Sequence, residues 1–362
     1  MAEGNTALID FALRGLRRCW MPVLNRWSHI YHLDGRPDPN QSLARSEVFY
    51  TLNVLVGLSR VARVPAWIDV PTIFNRNAKL LTELSVRDYA YGTALWASAE
   101  LGLELPVSVS LKLRQLLSDP ARWQGFHAQD LGMILIGVVA QARHEPKDWQ
   151  APARLLFEFL LQKYRSESGL FYDTASGLRR RFASFATQTY LTLASYCYGE
   201  FSGDENALEI ANVCTRKLID LQGPNGEWPW FFDAKTGKVL DFYEVYSVHQ
   251  YGMAPAFLER AETHGVNEAR RAMAKGFRWV CGQNQLALPM IVPELGLSIR
   301  SQVRKGELNG SRRRASRAVT NAVLGWNTGL IPAEALELRL ECRSYERGWI
   351  LWSLGRRQHF QE

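Results

Sequence analysis

The segment AQDLGMILIGVVA, residues 128–140, decides the fold. It opens on a polar pair, Gln129 and Asp130, and then runs from Leu131 to Ala140 without a charge. Wound at 3.6 residues per turn, that run is apolar on every side, and a helix apolar all round is a buried one. It is also far short of the roughly 18 residues a membrane-spanning helix requires.

Five further segments repeat the design. They are SEVFYTLNVLVGLS (46–59), RDYAYGTALWASA (87–99), ATQTYLTLASYCY (186–198), VHQYGMAPAFLERA (248–261) and SYERGWILWSLG (344–355). Each starts with an acid or amide beside an aromatic and continues into small and apolar residues. Amphipathic stretches alternate with them, at 5–19, 70–84, 107–117, 150–163, 206–221 and 267–281. Buried and half-buried helices in alternation predict six inner helices wrapped by six outer ones. A helical solenoid would make the same pairs, but it would leave one side of the apolar helices bare. The expected fold class is therefore all-α: an (α/α)6 toroid of six helical hairpins, one domain over residues 1–362.

Gly and Pro punctuate the pattern at Gly102 with Pro106, Asp119-Pro120, Ser168-Gly169 and Gly223-Pro224. The spacing of inner starts lengthens late in the chain, which places insertions there. Residues 223–241 read as a turn-rich hairpin. Residues 286–303 read as a small β-like insertion, and the arginine-rich stretch that follows, to Arg317, reads as a basic loop.

Hydrophobic residues make up 47% of the chain and mean hydropathy is −0.19, values that fit a folded protein and not a disordered one. The five cysteines never approach C-x-x-C spacing, which excludes a disulfide framework and points to a reducing compartment, the cytoplasm by default. The N-terminal stretch lacks a signal-peptide core and reads as an amphipathic helix, with Ala7, Leu8, Phe11, Leu13 and Leu16 apolar and Arg14, Arg17 and Arg18 basic, packed at the rim or, as the alternative, lying on a membrane surface. A net charge of +7 permits an anionic partner. No helix-turn-helix, zinc-finger or RNP signature supports nucleic acid. Phosphate-loop, dinucleotide, zinc-protease and serine-elbow motifs are absent as well. His29 and His32 alone are too few for zinc. No metal, no cofactor and no integral membrane segment are expected; the expected partner is a saccharide substrate.

In a toroid the inner helices all start at one end, where free N–H groups and positive dipole ends meet. Polar residues at those starts are expected to share one cavity. The candidate catalytic residues are Glu47, Asp88, Asp130, Tyr246, His249 and Glu346. Paired carboxylates are the usual means of glycoside hydrolysis, and His249 or Tyr246 suits proton abstraction beside a carbonyl. The candidate substrate-binding residues are Tyr50, His127, Gln188, Trp228, Trp230, Tyr243, Gln250 and Arg300. Tyr89, Tyr91, Tyr190 and Tyr345 add aromatic faces of the kind that stack on sugar rings. Acids and amides at helix starts also serve as caps, and indoles between hairpins also serve as packing. Tyr246 and His249 stand three apart and would share a helix face. Arg300, Arg304, Lys305, Arg312, Arg313, Arg314 and Arg317 read as a solvated run or as a rim that attracts carboxylate or phosphate.

The layout resembles the six-hairpin glycosidase, N-acylglucosamine 2-epimerase and glucuronyl C5-epimerase toroids over most of the chain. That resemblance implies an enzyme of the hydrolase, epimerase or lyase type acting on a saccharide, acidic ones included, by acid–base chemistry. Gln222, Gly226 and Trp228 resemble the Q-x-x-x-G-x-W motif of terpene cyclase and prenyltransferase toroids, which implies a terpenoid enzyme as the second reading. A silent toroid that binds glycans or proteins is the third.

Overall fold

The computed structural model describes residues 2–84, 86–308, 311–326 and 329–355, with only the backbone for residues 2–5, 311 and 312. The inner helices are Ala44–Leu58, Tyr89–Leu101, Ala128–Ala142, Phe185–Ser202, Ala254–Thr263 and Tyr345–Leu354. Each packs on the next, and the sixth packs on the first, so the ring closes. The outer helices are Ala2–Cys19, Val70–Glu83, Val107–Leu117, Pro146–Tyr164, Glu205–Leu221 and Ala269–Val280. The first of these packs on the sixth inner helix and turns Phe11, Ala12, Leu16 and Cys19 inward.

Local chemistry sets the element ends. Ser184 Oγ accepts from the Thr187 amide at 3.1 Å and caps the fourth inner helix. Gly203, at φ 73°, ends it in the left-handed conformation that glycine adopts without steric cost. Small residues set the ring's tightness. A side chain at Gly137 would collide with the Gly92 carbonyl, and one at Gly57 would collide with Gly348. The inner helices therefore touch backbone to backbone at those crossings.

The late intervals hold small antiparallel sheets. Phe182–Ser184, Phe231–Asp233 and Lys238–Asp241 form one, with Phe182 opposite Asp233. Ile291–Val292 pairs with Leu297–Ser298 inside the expected insertion. Ser301–Arg304 pairs with both Val245–Tyr246 and Leu336–Arg339.

Two readings of the sequence are corrected here. The basic stretch is a strand followed by a helix, Ser311–Leu324, and not a loop. Three of its arginines are paired: Arg304 and Arg317 with Asp241, Arg317 also with Glu307, and Arg314 with Glu244, while Arg313 is exposed. The side chain of Arg312 lies outside the described residues. The fifth inner helix opens with a π turn, His249–Met253, and Tyr246 lies in a strand ahead of it. Tyr246 and His249 therefore share no helix face. They meet because only Ser247 and Val248 separate the strand from the π turn, with ring centroids 5.1 Å apart.

Candidate active site

A cavity of about 260 Å³ opens at the mouth where the inner helices start. The first helix supplies Ser46, Phe49 and Tyr50; the second, Tyr89; the third, Gln129 and Met133; the fourth, Ala186 and Tyr190. The π turn supplies His249 and Met253, and the sixth helix Tyr345. Trp230, Tyr246 and Arg300 reach in from the insertions. The walls are aromatic: Tyr50 packs on Tyr345 at 4.6 Å, and Trp230 on Tyr246 at 4.9 Å.

Arg300 is the cavity's cation. Its guanidinium carbon stands 4.9 Å from the centre of the Tyr246 ring. Nε pairs with Glu341 at 3.3 Å, while the buried Nη1 bonds no described residue. Glu341 also holds Arg343 at 2.8 Å, and Arg343 reaches His29, which stacks on Tyr50. Burial, reinforced by Arg300, lowers His249 to about 3, so its imidazole is neutral. Its Nδ1 is buried without a partner.

A groove of about 500 Å³ adjoins this cavity at the starts of the second and third inner helices. It is lined by Val86, Arg87, Asp88, Arg122, Gly125, Phe126, His127 and Asp130. Tyr89 and Gln129, each one residue from a groove acid, face the cavity side. Desolvation raises the Asp130 carboxyl from 3.8 to about 6, with Asp173 and Asp88 adding to the rise and His127 and Arg87 opposing it. Burial, with the charge of Asp130, also pushes Tyr89 up to about 12. The groove acids and the aromatic cavity are thus electrostatic neighbours.

The expectation that all the polar helix starts face one cavity is corrected for several residues. Glu47 is buried, accepts from the Leu43 amide at 2.8 Å and pairs with Arg26 at 2.7 Å; it is a cap and a strut. The amide of Gln188 both donates to and accepts from the Phe171 backbone at 2.8 Å, which clamps a loop. Gln250 donates to the Tyr246 carbonyl at 3.1 Å, beneath the π turn. Glu346 is buried against Ser298, Tyr251 and Arg347, and burial raises its pKa. Trp228 stacks on Phe185 at 5.3 Å in the core. Tyr243 lies under Arg304, and the Tyr91 hydroxyl bonds the Leu81 carbonyl. None of these seven lines either recess. Asp88, Asp130 and His127 line the groove, while Tyr50, Trp230, Tyr246, His249 and Arg300 line the cavity.

Sequence reasoning missed Ser46, Phe49, Gln129 and Met133, which look like ordinary helix residues. It also missed Asp173, Glu341 and Arg343, which reach the mouth from loops and short strands. The pairing of Arg300 with Glu341 has no signature along the chain.

Solved structures share this fold along nearly the whole chain. An unsaturated glucuronyl hydrolase from Bacillus sp. GL1, described as responsible for the degradation of glycosaminoglycan, has a TM-score of 0.61 at 11% identity. The match covers 98% of this chain and 96% of that one. An unsaturated glucuronyl hydrolase specific for heparin gives 0.61 at 12%, covering 98% and 96%. A possible member of the GH105 family from Salmonella enterica serovar Paratyphi A gives 0.62 at 12%, covering 98% and 93%. The chain has the (α/α)6 toroid fold of the six-hairpin glycosidases. No family model and no curated protein sequence matches it.

Proposed function

We propose that this chain is a glycoside hydrolase acting on an oligosaccharide that ends in a uronate ring, with Asp130 as the proton donor. One observation carries this reading: a carboxyl whose pKa is raised to about 6 stands in the groove beside a cavity that is walled by tyrosines and holds an unpartnered guanidinium nitrogen, Nη1 of Arg300. A carboxyl that keeps its proton near neutrality can give it to a leaving oxygen. Asp88 supplies the second carboxylate of the groove. A cavity of about 260 Å³ falls below the roughly 300–1,000 Å³ of drug-sized ligand sites and suits a single sugar ring. Tyr50, Tyr345 and Trp230 offer faces to the ring, and Arg300 offers its unpartnered Nη1 to the carboxylate. The names of the fold neighbours point to an unsaturated glucuronyl terminus as the first substrate to try. The terpenoid reading loses support, because the mouth carries charged groups and too little apolar volume to fold a polyene.

The test is direct. The conjugated C=C–carboxylate of an unsaturated glucuronyl disaccharide absorbs in the ultraviolet; glycosidic cleavage frees an unsaturated hemiacetal whose ring opens to an enol and then to the α-keto acid, which removes that absorbance. The wild-type chain is expected to consume the disaccharide, with kcat/KM falling as pH rises through about 6, where Asp130 loses its proton. Asp130→Asn is expected to be slower by about 10²- to 10⁴-fold, the usual contribution of a positioned acid. If neither unsaturated nor saturated uronyl saccharides are turned over, or if Asp130→Asn matches wild type, the reading fails.

A further inference from the structure

The loop between the third and fourth hairpins brings a second carboxylate to the groove from behind. Asp173 is 5% exposed and does not line the groove. Its Oδ2 lies 3.2 Å from Nδ1 of His127 and accepts from Nε of Arg179 at 3.0 Å. Its Oδ1 accepts from the Thr187 hydroxyl at 2.9 Å, in the first turn of the fourth inner helix. Its backbone takes part as well: the Asp173 carbonyl accepts from the Ala128 amide, and its amide donates to the Arg180 carbonyl, both at 2.9 Å. The carboxylate is therefore held by three side chains and its backbone by two further bonds, and of the three side chains only His127 lines the groove.

A carboxylate only accepts hydrogen bonds, so its partner nitrogen must carry the proton. In its neutral form His127 is then the Nδ1–H tautomer, and its Nε2 keeps a lone pair. That ring lines the groove, and no described residue bonds its Nε2. His127 precedes the third inner helix, and its carbonyl accepts from the amide of Asp130 at 3.0 Å. The imidazole and the acid are thus tied to one turn of backbone.

We propose that Asp173 is a positioning residue for the groove: it locks His127 in the Nδ1–H tautomer, so that Nε2 stands beside Asp130 as a hydrogen-bond acceptor for a water or a substrate hydroxyl. This rests on the hydrolase reading for its kinetic consequences but not for its tautomer. Carboxylate–imidazole pairs fix ring orientation and tautomer in this way in other sites, and the isosteric amide turns the ring to the wrong tautomer. The charged and titratable groups acting on Asp130 are His127, Arg87, Asp173 and Asp88, with Tyr89 and Tyr164 also coupled to it. Asp173 is the member of this set that touches both His127 and the fourth helix.

The experiment uses Asp173→Asn, which keeps the shape and an acceptor for Thr187, together with His127→Gln and wild type. Imidazole ¹⁵N NMR of the full chain, without any ligand, reads the His127 tautomer. The expected result is Nδ1–H in wild type and Nε2–H in Asp173→Asn. On an unsaturated glucuronyl disaccharide, Asp173→Asn is expected to lose about 10²- to 10⁴-fold in kcat with KM within a few fold. The basic limb of its pH profile is expected to move to lower pH, since removing a neighbouring negative charge makes Asp130 a stronger acid. Asp173→Glu is expected to recover part of kcat. An unchanged tautomer, or a lowered Tm with kcat and the pH limb unchanged per folded molecule, overturns the proposal. If wild type has the Nδ1–H tautomer and turns over no uronyl saccharide, the hydrolase reading has failed while the tautomer lock stands.

Discussion

Replacing Asp130 by Asn is expected to stabilise the protein at neutral and alkaline pH while removing its activity. In the folded chain the carboxyl is raised from 3.8 to about 6, chiefly by loss of solvent. At about 1.36 kcal/mol per unit, that rise corresponds to about 3 kcal/mol. The sign follows from proton binding. Between 3.8 and about 6 the folded state holds the proton more tightly than the unfolded state, so stability falls as pH rises through this window. Below it both states are protonated and nothing is lost. Above it the full cost of ionising a desolvated carboxyl is carried. Asparagine carries no such cost. For a chain of this length the unfolding entropy is about 0.8 kcal/mol/K, so about 3 kcal/mol amounts to about 4 °C in Tm. Thermal unfolding of wild type and Asp130→Asn from pH 3.5 to pH 8 checks this directly. The two melting curves should coincide at the acid end and separate by a few degrees at pH 8, with the variant higher. Equal Tm values at both ends, or an offset independent of pH, would refute the claim that Asp130 is held protonated.

Other outcomes follow from the same geometry. Arg300→Gln removes the guanidinium above Tyr246 with its unpartnered Nη1 and should raise KM for a uronyl saccharide about 10- to 100-fold, with a smaller effect on the neutral-sugar analogue; steady-state kinetics on the pair decides this. Because burial holds His249 near 3, His249→Gln should lower kcat/KM by one constant factor at every pH from 5 to 8, and a factor that changes with pH would mean the ring titrates. Gln188→Leu leaves the Phe171 amide and carbonyl unpaired and should cost about 2–4 kcal/mol in urea unfolding, with activity per folded molecule retained. Gly137→Val forces the second and third inner helices apart and should cost about 1–3 kcal/mol or more by the same assay.

The toroid was legible because burial is written in composition. A helix enclosed on all sides has no polar face, and the run from Leu131 to Ala140 shows this without any tertiary information. The outer helices were legible through their one-sided apolar stripes, and 107–117 is helical over exactly the expected residues. The helix Ser311–Leu324 was not legible, because its inward side carries Arg314 and Arg317 beside the small Ala318 and the polar Asn321. Arg314 and Arg317 face carboxylates where a core helix would carry leucines, so a charge-rich segment hides its inward side. The π turn was equally hidden. Its extra residue per turn leaves no mark in the pattern of apolar residues, yet it delivers His249 to the cavity.

The site divides along a physical line that sequence does not draw. Every inner helix needs polar atoms at its start, and those atoms either serve the chain or face solvent and substrate. Glu47, Gln188 and Glu346 serve the chain: each finds backbone or side-chain partners within hydrogen-bond reach and is wholly buried. Among the described residues Asp88 and Asp130 have no such partners, and their helices start beside a groove that the neighbouring loops leave open. The difference lies in what the preceding loop contributes. Before the first helix Arg26 arrives to neutralise Glu47, and before the fourth Phe171 presents its backbone to Gln188. Around the third helix, Asp173 spends its hydrogen bonds on His127, Arg179 and Thr187 and reaches Asp130 through its field alone. An acid that is desolvated yet given no hydrogen-bond donor among the described residues holds its proton to higher pH, and that combination is why the proposed chemistry is placed at the third helix start.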